Sequence, residues 1–261
     1  MRIAIWQSEP VPADTAQGLS RLAEGVAAAA AEGADLVIAP EMALTGYMIG
    51  PEACDRLAEP RGGRFHAAVA EMARAHGIAI CFGYPEKGEA GTSNTAALIG
   101  PDGSQIADYR KSHLLSDIDR SQFVAGDALS GIHDLGGWKV ALAICYDIEF
   151  PEVARSLRLA GAELVLVPTA VVLPYISAPK RIVPARAEEN AFVIACANYA
   201  GEENGEPYGG HSCIVGPDGE DLARAGTVPS LIVADIDRAA IGRAEANVPY
   251  LADRRPELYF G

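Results

Sequence analysis

Three reactive side chains each stand at the end of a predicted strand. Leu36-Val-Ile-Ala-Pro40 leads to Glu41, a hairpin strand leads through Tyr109-Arg110 to Lys111, and Trp138-Lys-Val-Ala-Leu-Ala-Ile144 leads to Cys145. A carboxylate, an ammonium and a thiol can share one acyl-transfer reaction. A free thiol, with a pKa of about 8.5, is mostly protonated at neutral pH. Glu41 can accept its proton, and a nearby Lys111 favours the thiolate. After attack on a carbonyl, Lys111 and the backbone N–H of Tyr146 can hold the oxyanion. Glu41 can then protonate a leaving amine and activate the water that releases the acyl group. Glu41 and Lys111 also compensate each other's burial, which would be costly for either alone.

Singly, each residue has a plainer reading. A cysteine is often a small buried hydrophobe. Glu41 after Pro40 also reads as a helix-start carboxylate, and Lys111 beside Arg110 as a solvated loop charge. His113 and His211 are alternative bases for Cys145. Spacing leaves the Glu–Lys–Cys and Cys–His readings both open. No His/Cys spacing suggests a catalytic metal, and no Gly-rich phosphate loop is present.

The elements that must position these groups alternate. Arg2–Gln7 reads as a strand, Thr15–Glu32 as a helix with Leu19, Leu22 and Val26 at helical spacing, and Asp35–Pro40 as a short buried strand. Arg64–His76 is a helix stopped by Gly77, and Ile78–Gly83 a strand. A hairpin over Asn94–Ile106 turns at Gly100-Pro-Asp-Gly103, and the same turn recurs at Gly216-Pro-Asp-Gly219. The second half repeats the order with strand Lys139–Ile144, helix Pro151–Leu159, strand Glu163–Val167, a helix within Pro179–Glu189 and strand Phe192–Asn198. The pattern predicts a layered α/β fold with internal duplication. In such folds, sites gather beyond the carboxyl ends of strands. No low-complexity linker divides the 261 residues, so one domain over 1–261 is expected. A tail from about Ala239 lacks a strong pattern and is expected to wrap another surface or subunit.

The net charge of −14 argues against binding to nucleic acid or to an anionic membrane. No apolar run approaches the roughly 18 residues of a membrane span. The five cysteines are dispersed, and the N-terminus reads as a first strand rather than a secretory signal. A cytoplasmic protein is expected.

The chain resembles the nitrilase, or carbon–nitrogen hydrolase, superfamily along nearly its whole length. The resemblance rests on Pro40-Glu41-Met-Ala-Leu-Thr-Gly-Tyr47, Tyr109-Arg-Lys111-Ser-His-Leu114 and Cys145-Tyr-Asp-Ile-Glu-Phe-Pro-Glu152. Gly161–Ala170 and Ala185–Asn190 support it. It implies a four-layer α-β-β-α sandwich whose subunits associate through helical faces as a dimer or larger homo-oligomer. It also implies a general base at Glu41, an oxyanion-stabilising Lys111, a nucleophile at Cys145, a thioester intermediate and no cofactor. Asp119 falls where many members carry a second, substrate-positioning glutamate, and it reads equally as a solvated loop charge. Tyr47 and Tyr146 are expected to line the pocket.

Cys145-Tyr146-Asp147 resembles the amidase and carbamoylase branches, because true nitrilases usually follow their cysteine with Trp-Glu. Glu149 stands where many relatives have an arginine suited to a substrate carboxylate. Facing the pocket, it would repel an anion; the plainer reading pairs it with Arg155 or Arg158. The sequence therefore predicts an amidase for a small neutral or amine-bearing carboxamide. An N-carbamoyl hydrolase or an acyltransferase is the alternative within the superfamily, and a non-catalytic binding or scaffold protein the alternative outside it.

Overall fold

In a computed structural model of the chain, residues 1–259 are described. The first half runs β1 (Arg2–Gln7), α1 (Thr15–Ala31), β2 (Leu36–Ile38), α2 (Pro51–Leu57), α3 (Arg64–His76), β3 (Ala79–Gly88), β4 (Gly91–Ile99) and β5 (Gln105–Arg110), followed by α4 (Ser116–Gln122). The second half begins β6 (His133–Leu135), β7 (Trp138–Leu142), a 3-10 turn at Cys145–Glu149, α5 (Pro151–Leu159) and β8 (Leu164–Pro168). It continues through a π turn at Ala178–Ile182 into α6 (Val183–Asn190), then β9 (Val193–Ala197). A small hairpin, β10 (Glu202–Glu203) and β11 (Glu206–Pro207), precedes β12 (Cys213–Val215), β13 (Asp221–Arg224), β14 (Ser230–Asp235) and α7 (Arg238–Asn247).

Local chemistry sets several boundaries. Asp14 Oδ1 accepts from the Gln17 N–H at 3.0 Å and caps α1. Gly77, at φ +64°, ends α3 in the left-handed conformation. Pro151 opens α5, where its missing N–H costs no helical bond.

The strands form two six-stranded mixed sheets, ordered β14-β1-β2-β3-β4-β5 and β13-β12-β9-β8-β7-β6. The duplication is visible in the pairing. β1, β2 and β3 are parallel neighbours, and β4 and β5 follow antiparallel. β7, β8 and β9 are likewise parallel, and β12 and β13 follow antiparallel. Both Gly-Pro-Asp-Gly turns close with the same backbone bonds, Gly103 N–H to Gly100 O at 2.8 Å and Gly219 N–H to Gly216 O at 3.0 Å.

The inner faces of the two sheets share one apolar core, with Ile5 and Ile38 from the first beside Val140 and Leu166 from the second. Outside it, Leu22 and Val26 of α1 and Phe65 and Val69 of α3 cover the first sheet. Val153 and Leu157 of α5 and Ala187 of α6 cover the second. This is the expected α-β-β-α layering, with each apolar helix stripe buried on one sheet face.

Three findings differ from the sequence reading. The segment from Ala239 begins as helix α7, through Asn247, rather than as patternless tail, started by Asp237, whose carboxylate accepts from the Ala239 N–H at 2.9 Å. Ile241 is its buried residue, so its apolar stripe is one side chain wide. β14 pairs antiparallel with β1 and carries the chain back to the first sheet. α2 and α4, unassigned from sequence, are single short helices in the loops that follow Glu41 and Lys111.

Candidate active site

Glu41 lies just beyond β2, and its N–H donates to Thr169 O, at the end of β8 in the other sheet, at 3.3 Å. The chain then turns through Met42 at φ +55°. Gly83 of β3 makes room for this turn: a Cβ there would sit 2.3 Å from the Met42 nitrogen. Lys111 follows β5, and its N–H donates to Asn94 O at 2.8 Å. Cys145 opens the 3-10 turn at φ +48°, a conformation unfavourable for a residue with a Cβ. Asp147 Oδ2 holds the turn by accepting from the Ile144 N–H at 3.1 Å.

The charged side chains meet. Lys111 Nζ donates to Glu41 Oε1 at 2.8 Å and to Asp119 Oδ2 at 2.7 Å, with all three side chains fully buried. Asn94 Nδ2 donates to the same Glu41 oxygen at 2.7 Å. Glu41 Oε2 is buried and has no partner among the described residues. Asp119 also accepts from the Tyr47 hydroxyl at 2.7 Å and the Leu115 N–H at 2.7 Å. It is no solvated loop charge: its contacts run to the lysine and the pocket wall.

Burial raises the Glu41 carboxyl, Lys111 pulls it back in part, and the negative charge of Asp119 adds to the rise. Lys111 is held well above its ordinary value because burial, which opposes its charge, is outweighed by Glu41 and the other surrounding acids. The Cys145 thiol is pushed up by burial and by Glu41; Lys111, Thr169 and the Ala170 backbone favour its anion but do not prevail. The resting nucleophile is therefore a protonated thiol, and a charge from Lys111 alone does not make a thiolate. A general base must remove the proton as attack occurs.

Beside this group lies a cavity of about 290 Å³, lined by Tyr47, Met48, Cys145, Tyr146, Glu149 and Val171 among others. Glu149 pairs with neither suggested arginine. Arg155 donates to Glu189 O at 2.8 Å, and Arg158 donates to Ala162 O at 2.8 Å and pairs with Glu245. Arg186 meets only the Glu149 backbone carbonyl, at 2.7 Å, among its hydrogen bonds to that residue. Burial raises the Glu149 carboxyl, with Lys111 and Arg186 opposing.

The Cys–His reading does not hold. His113 Nδ1 lies 2.8 Å from Asp147 Oδ1, and its ring stacks on Phe150 at 4.2 Å between centroids. The His211 carbonyl accepts from Arg224 at 3.2 Å, and burial together with the charges of Lys180 and Arg224 depresses its imidazole. Among the described residues, neither ring has a hydrogen bond to Cys145.

Comparison with known proteins agrees with this arrangement. The carbon-nitrogen hydrolase family model matches residues 2–246. The chain is a carbon–nitrogen hydrolase. It is 46% identical over 260 residues to a Pseudomonas protegens protein named as a hydrolase in the pqqF 5' region, covering 99% of this chain and 90% of that one. It is 33% identical to an (R)-stereoselective amidase of a Pseudomonas species, covering 98% and 92%. Its fold matches the crystal structure of an amidase from Nesterenkonia sp. with a TM-score of 0.88 and 34% identity, covering 99% and 94% of the two chains. Variants of that amidase have been solved with acrylamide added to the active site cysteine and in complex with butyramide. This hydrolase is of the amidase type, with Cys145 as its active-site cysteine and a buried Glu41–Lys111 pair beside it.

In this hydrolase, sequence reasoning overlooked Asn94, Thr169 and Ala170, which contact Glu41 or favour the Cys145 anion. Asn94 was legible only as a hairpin boundary. Thr169-Ala170 ends the apolar run of β8 and so shares the strand-end signature of the other site residues. None of the helices described is long and apolar enough to cross a membrane.

Proposed function

We propose that the protein hydrolyses a small neutral or amine-bearing carboxamide to its carboxylic acid and ammonia, through a thioester on Cys145. One observation carries the reading: Glu41 spends one buried oxygen on Lys111 and Asn94 and keeps the other unpartnered. A buried oxygen left without a donor is costly, and the Cys145 thiol, close enough to feel the Glu41 charge, can supply one.

The steps then balance. Glu41 takes the Sγ proton while sulfur attacks the amide carbon, and the carbonyl oxygen becomes an oxyanion facing Lys111 and the Tyr146 N–H. Protonated Glu41 gives its proton to the leaving nitrogen, ammonia departs, and a thioester remains. Glu41 next deprotonates a water, whose oxygen attacks the thioester; the C–S bond breaks, and the thiol regains the proton from Glu41. Desolvated donors in such a site stabilise developing charge far better than water-exposed ones. Asp119 supports Lys111 from behind rather than facing the substrate, because Lys111, Tyr47 and Leu115 occupy its oxygens.

Glu149 supports the choice of substrate. A carboxylate on a pocket wall of mostly apolar side chains repels an anionic substrate and attracts an ammonium. The test compares amides of matched size that are neutral, cationic or anionic, with acid-quenched protein checked by intact mass for an acyl group on Cys145. Neutral or cationic amides should turn over and leave the thioester. Preferential turnover of ω-amides of dicarboxylates would overturn the substrate class. Normal turnover by Cys145→Ala would overturn the mechanism.

A further inference from the structure

The Glu203 carboxylate is as deeply buried as the catalytic acids, yet it lies outside the catalytic group. It belongs to β10 in the small hairpin and is 1% exposed. Its oxygens accept from the Tyr47 N–H at 3.1 and 3.2 Å, the Met48 N–H at 3.0 Å and the Tyr208 hydroxyl at 2.5 Å. These donors are backbone and phenol dipoles rather than a cation. A buried charge held this way is directional: it fixes where the donors sit.

The donors matter because of what they carry. Tyr47 and Met48 form one wall of the substrate cavity, and Val171 and Val172 form another. The hairpin holds both. On the first wall, Glu203 is joined by Asn204, whose Nδ2 donates to Met48 O at 2.6 Å. On the second, the Leu173 N–H donates to Pro207 O at 2.9 Å, the Gly209 N–H donates to Val171 O at 2.9 Å, and Val172 bridges Tyr208. Gly46 is fitted to the same carboxylate: at φ +80°, a Cβ there would lie 2.2 Å from Glu203 Oε1. Tyr47 also reaches Asp119 through its hydroxyl, so the wall and the lysine are held in one frame.

We infer that Glu203 is a positioning residue for substrate selection: it fixes the Tyr47–Met48 wall against the Val171–Val172 wall and so sets which acyl groups reach Cys145. It touches neither substrate nor the reacting atoms. Glu203→Gln keeps the shape but places an amide NH₂ where only acceptors fit. The wall then relaxes, while Glu41, Lys111 and Cys145 keep their own partners.

The experiment measures alkylation of Cys145 by iodoacetamide and by the bulkier 2-iodobutyramide, read by intact mass, in wild type, Glu203→Gln and Tyr208→Phe. Thermal midpoints and hydrolysis of acetamide and butyramide are followed in parallel. In Glu203→Gln the ratio of bulky to small alkylation should shift on the order of tenfold, the equivalent of one charge-assisted hydrogen bond. Iodoacetamide alone should react at close to the wild-type rate, and KM for butyramide should move more than kcat. Tyr208→Phe removes one donor and leaves the carboxylate, so it should shift the ratio in the same direction by less. It carries the test if Glu203→Gln does not fold. An unchanged ratio in a folded variant, or equal slowing of both reagents, would overturn the inference by making Glu203 a general stabiliser. Selective alkylation of wild type without amide hydrolysis would count against the proposed function and leave this inference standing.

Discussion

Asp147 accepts two hydrogen bonds from His113 through one oxygen, from the backbone N–H at 2.9 Å and from ring Nδ1 at 2.8 Å. Its other oxygen takes the Tyr109 hydroxyl at 2.9 Å and the Ile144 N–H at 3.1 Å. One fully buried carboxylate thus ties the segment bearing Lys111 to the turn bearing Cys145. Asp147→Asn turns an acceptor into a donor facing donors and should cost about 1–3 kcal/mol of stability, read by urea unfolding. His113→Ala removes one of four donors and should retain far more kcat than Glu41→Gln. The reverse ranking would restore a histidine base.

The pH profile should follow Glu41. The reaction needs this carboxyl ionised, so kcat/KM should rise with pH through its midpoint, which burial places above the ordinary value of 4.5. Asp119→Asn removes a negative charge that raises Glu41 and leaves Lys111 to serve Glu41 alone. Both changes favour the ionised form, so the acidic limb should move to lower pH even as the plateau falls. A limb that stays put or moves upward in the variant's kcat/KM profile would refute this coupling.

Gly83→Ala should damage catalysis more than folding. The added Cβ meets backbone, 2.3 Å from the Met42 nitrogen and 3.1 Å from the Glu41 Cα, so the base itself must shift. A displacement near 1 Å in a reacting group can cost on the order of 100-fold in rate. Single-turnover acylation by an amide is the measurement, with the thermal midpoint as its control. A variant with wild-type acylation would show that the turn adapts without moving Glu41.

Glu86 should give an acid-sensitive share of stability. Burial pushes its carboxyl up, but hydrogen bonds from Arg110 at 2.6 Å and Thr95 at 2.9 Å, with the charge of Arg61, bring it below the ordinary value. With the folded value depressed, the contribution is present above the unfolded value and lost as pH falls through the folded one. Glu86→Gln should therefore lose about 1–3 kcal/mol at neutral pH, and the gap to wild type should close in strong acid. Denaturant unfolding at both conditions decides it; a gap that persists in acid would assign the loss to packing.

Elements with local punctuation were legible in the chain. α3 runs from Arg64 to the Gly77 stop, and α5 from Pro151 to Leu159, as their spacing and caps predict. Glu41, Lys111 and Cys145 stood out because each stands at the end of a strand that the sequence predicts. Features set by distant partners were not legible. Asp119 sits among Ser, Asp and Arg in a segment that reads as solvated, and only Lys111 and Tyr47 make it buried. Glu203 lies in Gly-Glu-Glu-Asn-Gly-Glu, which reads as an exposed turn, and its partner Tyr47 is 156 residues away. The upward push that burial gives the Cys145 thiol was also hidden, because desolvation depends on what the whole fold packs around the sulfur.

The duplicated halves do not carry equivalent reactants. Glu41 and Lys111 leave strands of the first sheet, and Cys145 leaves a strand of the second. Proton acceptor and nucleophile thus meet only while the two sheets hold their face-to-face alignment. A slip of one strand residue, about 3.3 Å, would part them with every ladder intact. Turnover is then a gauge of layer alignment, and it should fail before secondary structure does.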